Sequence, residues 1–265
     1  MLTIKQKFDE LKKQGRKAFI AYVPFGFPTI ALSKKIILTL QTAGVDIIEI
    51  GIPFSDPIAD GPIIQEATTI ALKNGANTHK LFFMLQEMKS TLKVPIALMT
   101  YYNPVLKFGL EKFFHHMQKI GISGIMTVDL PVEEAGAYLA QCRSRGLETI
   151  FFITPVTRPA RIKHIVKASR GFIYYISVTG ITGPKDISYS QLEKPIRALK
   201  KITTVPVCVG FGVHTKEQVH RIWEYSDGAI VGSDIVKFIK EHHSQPNFLT
   251  KLQRYVVALK GNNVV

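Results

Sequence analysis

Short apolar runs alternate with longer helix-period segments through most of this sequence, and that alternation limits the chain more than any other feature. The runs fall at 17–23, 46–50, 95–100, 124–128, 148–153, 172–177, 206–209 and 228–231. Each is followed by a loop and an amphipathic stretch, the pattern of a parallel sheet with crossover helices. Unbroken apolar strands such as Ile96-Ala97-Leu98-Met99 suit a sheet covered on both faces. Eight such units in about 250 residues match an α/β fold, the closed (β/α)8 TIM barrel. An open doubly wound sheet is the alternative on this pattern alone.

A helix precedes the first strand. Thr3-x-x-Gln6 fits a capping box, and Ile4, Phe8 and Leu11 follow at spacings of four and three. A second box, Thr215-x-x-Gln218, opens a segment in which Val219, Ile222 and Trp223 share a face. Gly75-Ala76-Asn77-Thr78 divides the stretch 63–91 into two helices. No linker, charge block or low-complexity stretch intervenes. The expected organisation is a single TIM-barrel domain over residues 1–265 with an extra N-terminal helix.

Composition narrows the function classes. Thirty-four Lys and Arg against twenty Asp and Glu leave a net charge of +14. The basic residues come in pairs, such as Lys12-Lys13 and Lys200-Lys201, and never in a run of three. That is the pattern of a solvated surface rather than of a nucleic-acid site, and it raises encounter rates with anionic metabolites. Two cysteines, Cys142 and Cys208, make no disulfide framework and suit a reducing compartment. The opening residues mix charged and apolar types without a signal-peptide core, and no apolar run reaches the ~20 residues of a membrane span. A soluble, cytoplasmic protein without membrane or nucleic-acid partners is expected. The adjacent pairs His115-His116 and His242-His243 splay apart on a helix, no His-x-x-x-His occurs, and no metal site is expected.

In a barrel the active site lies at the C-terminal ends of the strands. There, Glu49 interrupts the apolar run Ile47-Ile48-Glu49-Ile50. If its neighbours face the helices, it points into the barrel, where burial raises a carboxyl pKa toward acid/base use. A salt-bridged structural glutamate is the alternative. The next loop carries Asp56 and Asp60 among three prolines, as a functional loop or as a capped turn. Glycines end three later strands, in Gly180-Ile181-Thr182-Gly183, Gly210-Phe211-Gly212 and Gly232-Ser233. Glycine lets backbone amides approach an anion, and a helix N-terminus adds a favourable dipole, so these loops point to phosphate binding.

The run from Glu49 through Pro53-Phe54-Ser55-Asp56-Pro57-Ile58-Ala59-Asp60-Gly61-Pro62 to Gln65 closely resembles the signature of the tryptophan synthase alpha subunit family. Tyr101-Tyr102-Asn103-Pro104, Asp129-Leu130-Pro131, Ser177-Val178-Thr179-Gly180 and the glycine loops continue the resemblance along nearly the whole chain. It implies a lyase of tryptophan biosynthesis that splits indole-3-glycerol phosphate into indole and glyceraldehyde 3-phosphate, with no cofactor in this subunit. Glu49 matches the family's general acid/base, and Asp60 the carboxylate that takes the indole N–H. Tyr22, Met99, Tyr101 and Ile153 match the indole pocket, and Tyr174 and Thr182 the pocket and closing loop. Gly183, Gly212, Gly232 and Ser233 match the phosphate site. The resemblance also implies a beta-subunit partner carrying pyridoxal phosphate, in an alpha-beta-beta-alpha complex, with Asp56 and Pro57 facing it. A barrel that mainly activates this partner is the second functional reading; another phosphate-binding isomerase or epimerase fits the Glu49–Gln65 run poorly.

Three departures stand out. Pro24-Phe25-Gly26-Phe27-Pro28 replaces the family's Thr-Ala-Gly-Asp-Pro, and Pro184-Lys185 follows Gly183. Asp234 takes the place of a small residue beside the phosphate site, and its carboxylate is expected to turn outward to solvent. Residues 178–188 are expected to form a lid.

Overall fold

The strand alternation of the sequence becomes one nine-segment, all-parallel sheet in the computed structural model, which describes residues 2–177 and 189–261. The expected lid, with Thr182 and Gly183, lies outside the described residues. The strands are β1 (Ala18–Pro24), β2 (Ile47–Gly51), β3 (Ile96–Thr100), β4 (Gly124–Thr127), β5 (Glu148–Thr149), β6 (Phe151–Ile153), β7 (Ile173–Ile176), β8 (Val207–Gly210) and β9 (Gly228–Val231). Their order is β5-β4-β3-β2-β1-β9-β8-β7-β6. Because β5 and β6 adjoin through Ile150, the two ends of this order meet in one stretch of chain and the sheet forms a nearly closed barrel.

One expected strand, 148–153, is thus two. Glu148 and Thr149 pair with Gly124 and Ile125 of β4, whereas Phe151, Phe152 and Ile153 pair with Ile173, Tyr174 and Tyr175 of β7. The hydrogen-bond partner changes at Ile150, so the upper halves of β4 and β6 part.

The described helices are α1 (Ile4–Lys13), α2 (Ile30–Thr42), α3 (Pro62–Lys73), α4 (Thr78–Met88), α5 (Tyr102–Phe108), α6 (Leu110–Ile120), α7 (Gly136–Ser144), α8 (Pro159–Ala168), α9 (Tyr189–Lys200), α10 (Lys216–Trp223), α11 (Ser233–His242) and α12 (Phe248–Lys260). Both expected capping boxes form: Thr3 and Gln6 satisfy one another's backbone N–H at α1, and Thr215 and Gln218 do so at α10. Among the described residues, no helix is long and apolar enough to cross a membrane.

Apolar residues divide into two cores. The larger lies between the sheet and its surrounding helices. The smaller fills the lower barrel with Ile20, Ile47, Ala97, Met126, Ile150, Phe172, Cys208 and Ile230, and receives Ile4, Phe8 and Leu11 of α1. The extra N-terminal helix is therefore the floor of the barrel. Buried Glu148 ties it there, accepting from the backbone N–H of Ile4 at 2.7 Å and of Lys5 at 2.8 Å. These are amide groups that a helix start leaves without intrahelical partners.

The departure after β1 is a packed turn. Phe25 and Phe27 are buried, and Gly26 has φ +90°, with no room for a Cβ against Ala76. Asn74 Nδ2 donates to the Pro28 carbonyl at 2.6 Å, locking the turn to the end of α3.

Candidate active site

Register decides which side chains enter the barrel. Tyr22 of β1 pairs with Glu49 of β2, Glu49 with Ala97 of β3, and Gly51 with Met99. Period-two alternation sends Ile48 and Ile50 to the outer core and Glu49 inward, above the apolar floor. Glu49 is 1% exposed, and its Oε1 has no hydrogen-bond partner among the described residues. Desolvation pushes its pKa up to about 8. Among the described residues its Oε1 also meets no cation in a salt bridge.

Asp60 arrives from the loop after β2 and is 7% exposed. Burial raises its pKa to about 6, while a hydrogen bond from Tyr101 pulls the other way. Tyr101 also accepts from the Ala59 N–H at 3.0 Å and packs on Phe54 at 5.2 Å between ring centroids. Tyr22 lies within electrostatic reach of Asp60, Glu49, Tyr101 and Tyr174, so the two carboxyls and three tyrosines form one cluster. Between pH 6 and 8 this cluster holds Glu49 protonated and Asp60 ionised. Two carboxyls set apart in this way can divide acid and base work.

Beside the cluster opens a cavity of about 370 Å³, lined by Met99, Val128, Leu130, Phe152, Tyr174, Ile176 and Phe211, among others. It reaches the place where β4 and β6 part. Ile153 is not among its lining residues: it belongs to the outer core, and Phe152 takes the inward place against Tyr174 at 5.2 Å. Phe152 and Phe211, like Val128, Leu130 and Ile176, are cavity residues that sequence reasoning missed. Phe211 had a signal, since it sits between two glycines. Its φ of +86° is left-handed, a conformation that costs a non-glycine residue on the order of 1–3 kcal/mol. The Ser177 hydroxyl holds it by donating to the Phe211 carbonyl at 2.7 Å.

The glycine ends of β8 and β9 lie side by side. Gly212 has φ +71°, and Gly232 is the N-cap of α11, which Ser233 opens. A Cβ on Gly232 would touch Tyr22 at 3.4 Å, so this rim adjoins the carboxyl cluster. Asp56 and Pro57 stand apart on the outer loop with Ile58, which is 74% exposed. Among the described residues no group of three or more metal-ligating side chains occurs.

A barrel whose carboxyls and glycine ends follow this order along the chain can be compared with known families. The family model for the tryptophan synthase alpha chain matches residues 8–262. The chain belongs to that family. The tryptophan synthase alpha chain of Methanocaldococcus jannaschii is 42% identical over 243 residues, 91% of this chain and 86% of its own length. That of Petrotoga mobilis is 40% identical over 96% of this chain and 98% of its own. Among solved structures, the tryptophan synthase alpha subunit of Legionella pneumophila superposes with a TM-score of 0.90 at 29% identity, covering 98% of this chain and 97% of that one. The alpha-chain fold thus extends across both cores, and the open-sheet alternative is set aside.

Proposed function

We propose that this alpha chain cleaves indole-3-glycerol phosphate to indole and glyceraldehyde 3-phosphate, with Glu49 and Asp60 as its acid/base pair. The observation that carries the roles is the buried Glu49 carboxyl, whose Oε1 has no hydrogen-bond partner among the described residues and whose pKa is pushed up to about 8, beside the more acidic Asp60. Neutral Glu49 gives its proton to the indole ring carbon that bears the glycerol chain. Positive charge then spreads to the ring nitrogen, where the Asp60 carboxylate stabilises it by accepting the N–H. Glu49, now ionised, takes the proton of the adjacent glycerol hydroxyl. The O–H electrons become the aldehyde C=O, the C–C bond breaks, and its electron pair restores neutral indole.

Met99, Tyr101, Tyr22 and Tyr174 surround the ring in this reading, and Gly212, Gly232 and Ser233 hold the phosphate through backbone N–H groups. Thr182 and Gly183 would complete the enclosure. The substrate and the chain's cationic surface carry opposite charge, which favours capture. Indole passes to a beta subunit that carries pyridoxal phosphate, docked on the loop of Asp56, Pro57 and Ile58 in an alpha-beta-beta-alpha complex in the cytoplasm.

Indole release by the isolated chain, with and without the beta subunit, tests the reading. Glu49→Gln should lower kcat by about 10²–10⁴-fold in a folded protein, the usual worth of positioned proton transfer. Asp60→Asn should also slow cleavage. A folded Glu49→Gln variant with near-normal kcat would refute the assignment, and an inactive wild-type chain that still activates its partner would favour a regulatory barrel.

A further inference from the structure

Asp234 places a negative charge in the first turn of α11, next to the amides of Gly232 and Ser233. A carboxylate turned toward a phosphate there would oppose its binding. Nor does it face solvent, as the sequence led us to expect: its side chain is only 16% exposed. Its Oδ2 accepts a hydrogen bond from the Tyr255 hydroxyl of α12. Its Oδ1 stands 4.0 Å from Nδ1 of His214, two residues beyond Gly212.

Tyr255 is itself fixed. Its ring stacks on Phe238 of α11 with centroids 4.2 Å apart and planes 15° from parallel. Phe238 stacks in turn on His242 at 4.2 Å and 11°. This stack holds the Tyr255 ring against α11, and the hydrogen bond from its hydroxyl sets the direction of Asp234.

We infer that Tyr255 is a positioning residue for phosphate recognition: its hydroxyl holds the Asp234 carboxylate turned away from the anion site at the N-terminus of α11. The inference rests on the reading above that phosphate binds at Gly232 and Ser233. It explains how this chain accommodates an acid in the helix turn where its substrate's anion is to sit. Without the hydroxyl, the carboxylate keeps only its 4.0 Å approach to His214 and can rotate toward the phosphate.

Steady-state kinetics on the full chain with its beta subunit test this, using Tyr255→Phe, Asp234→Asn and the double variant, with melting temperatures recorded alongside. Tyr255→Phe should raise KM for indole-3-glycerol phosphate about three- to tenfold at low ionic strength, with kcat within about twofold. The rise should shrink in about 0.5 M salt. Adding Asp234→Asn should return KM to near the wild-type value, because a neutral amide does not repel phosphate. A merely structural tyrosine would lower the melting temperature, leave KM alone and gain nothing from the asparagine. An unchanged KM in Tyr255→Phe, or a rise that asparagine does not reverse, overturns the inference. Gly232→Val separates it from the reading beneath: a Cβ fits there, yet the side chain would cover the amides. If Gly232→Val leaves KM unchanged, phosphate binds elsewhere and both fall. If it raises KM while Tyr255→Phe does not, this inference alone fails.

Discussion

The Tyr22 hydroxyl occupies the space that Gly51 leaves empty, so that a Cβ on Gly51 would overlap it. Across the barrel the Tyr174 hydroxyl lies over Gly210 in the same way. Two inward tyrosines, each on a strand beside the glycine-ended one, thus flank the carboxyl cluster, and the missing side chains of their neighbours let them lie there.

Gly51→Ala should therefore displace a buried ring. Overpacking of this kind costs roughly 1–3 kcal/mol. We expect that loss in urea denaturation, with a fall in kcat/KM as Tyr22 shifts. Combining it with Tyr22→Phe should recover part of both, because the worst overlap is with the hydroxyl. An alanine variant of wild-type stability and activity would show that the ring moves freely.

The buried Glu49 carboxyl gives a pH dependence whose sign follows from its pKa. The folded value, about 8, lies above the ordinary 4.5. Above pH 4.5 the unfolded chain releases a proton that the native state keeps. The stability due to this group is complete below 4.5 and declines as pH rises to about 8. Glu49→Gln, neutral throughout, should escape the decline. Its advantage over wild type in denaturant titrations should grow between those limits, to a few kcal/mol at most, and then level off. A difference independent of pH would mean that Glu49 is not buried in its neutral form.

Glu148→Ala should loosen the barrel floor. It leaves the Ile4 and Lys5 amides without their acceptor, at about 1–3 kcal/mol for unsatisfied buried donors. Hydrogen exchange in α1 should accelerate while KM for folded enzyme changes little. Unaltered protection of α1 would show that apolar packing alone holds the helix.

Asp56→Ala and Pro57→Ala should weaken the beta-subunit complex, by about tenfold in Kd for a contact at an interface centre, with little change in melting temperature. Both residues sit on an outer loop beside an isoleucine that is 74% exposed. Equal activation of the beta reaction at limiting alpha subunit would place the interface elsewhere.

The barrel was legible in the sequence because strand and helix periods differ, and Glu49 was legible because an acid between isoleucines breaks an apolar run. Other features depend on closure. The break at Ile150 is a change of hydrogen-bond partner from β4 to β7, and nothing in 148–153 marks it. Which of Phe152 and Ile153 faces inward depends on strand phase, and Phe151-Phe152-Ile153 is apolar on both faces, so it carries no alternation to read. Glu148 meets α1 across more than 140 residues, and Tyr255 meets Asp234 across 21. Such pairs are chosen by packing and leave no local mark.

The floor made by α1 has a consequence for traffic. Ile4, Phe8 and Leu11 stopper the lower end of the barrel with apolar side chains. The floor is thus sealed by packing, and no small molecule can pass that end of the barrel unless α1 is displaced, which ties the helix's anchoring at Glu148 to the one-sidedness of the well above it.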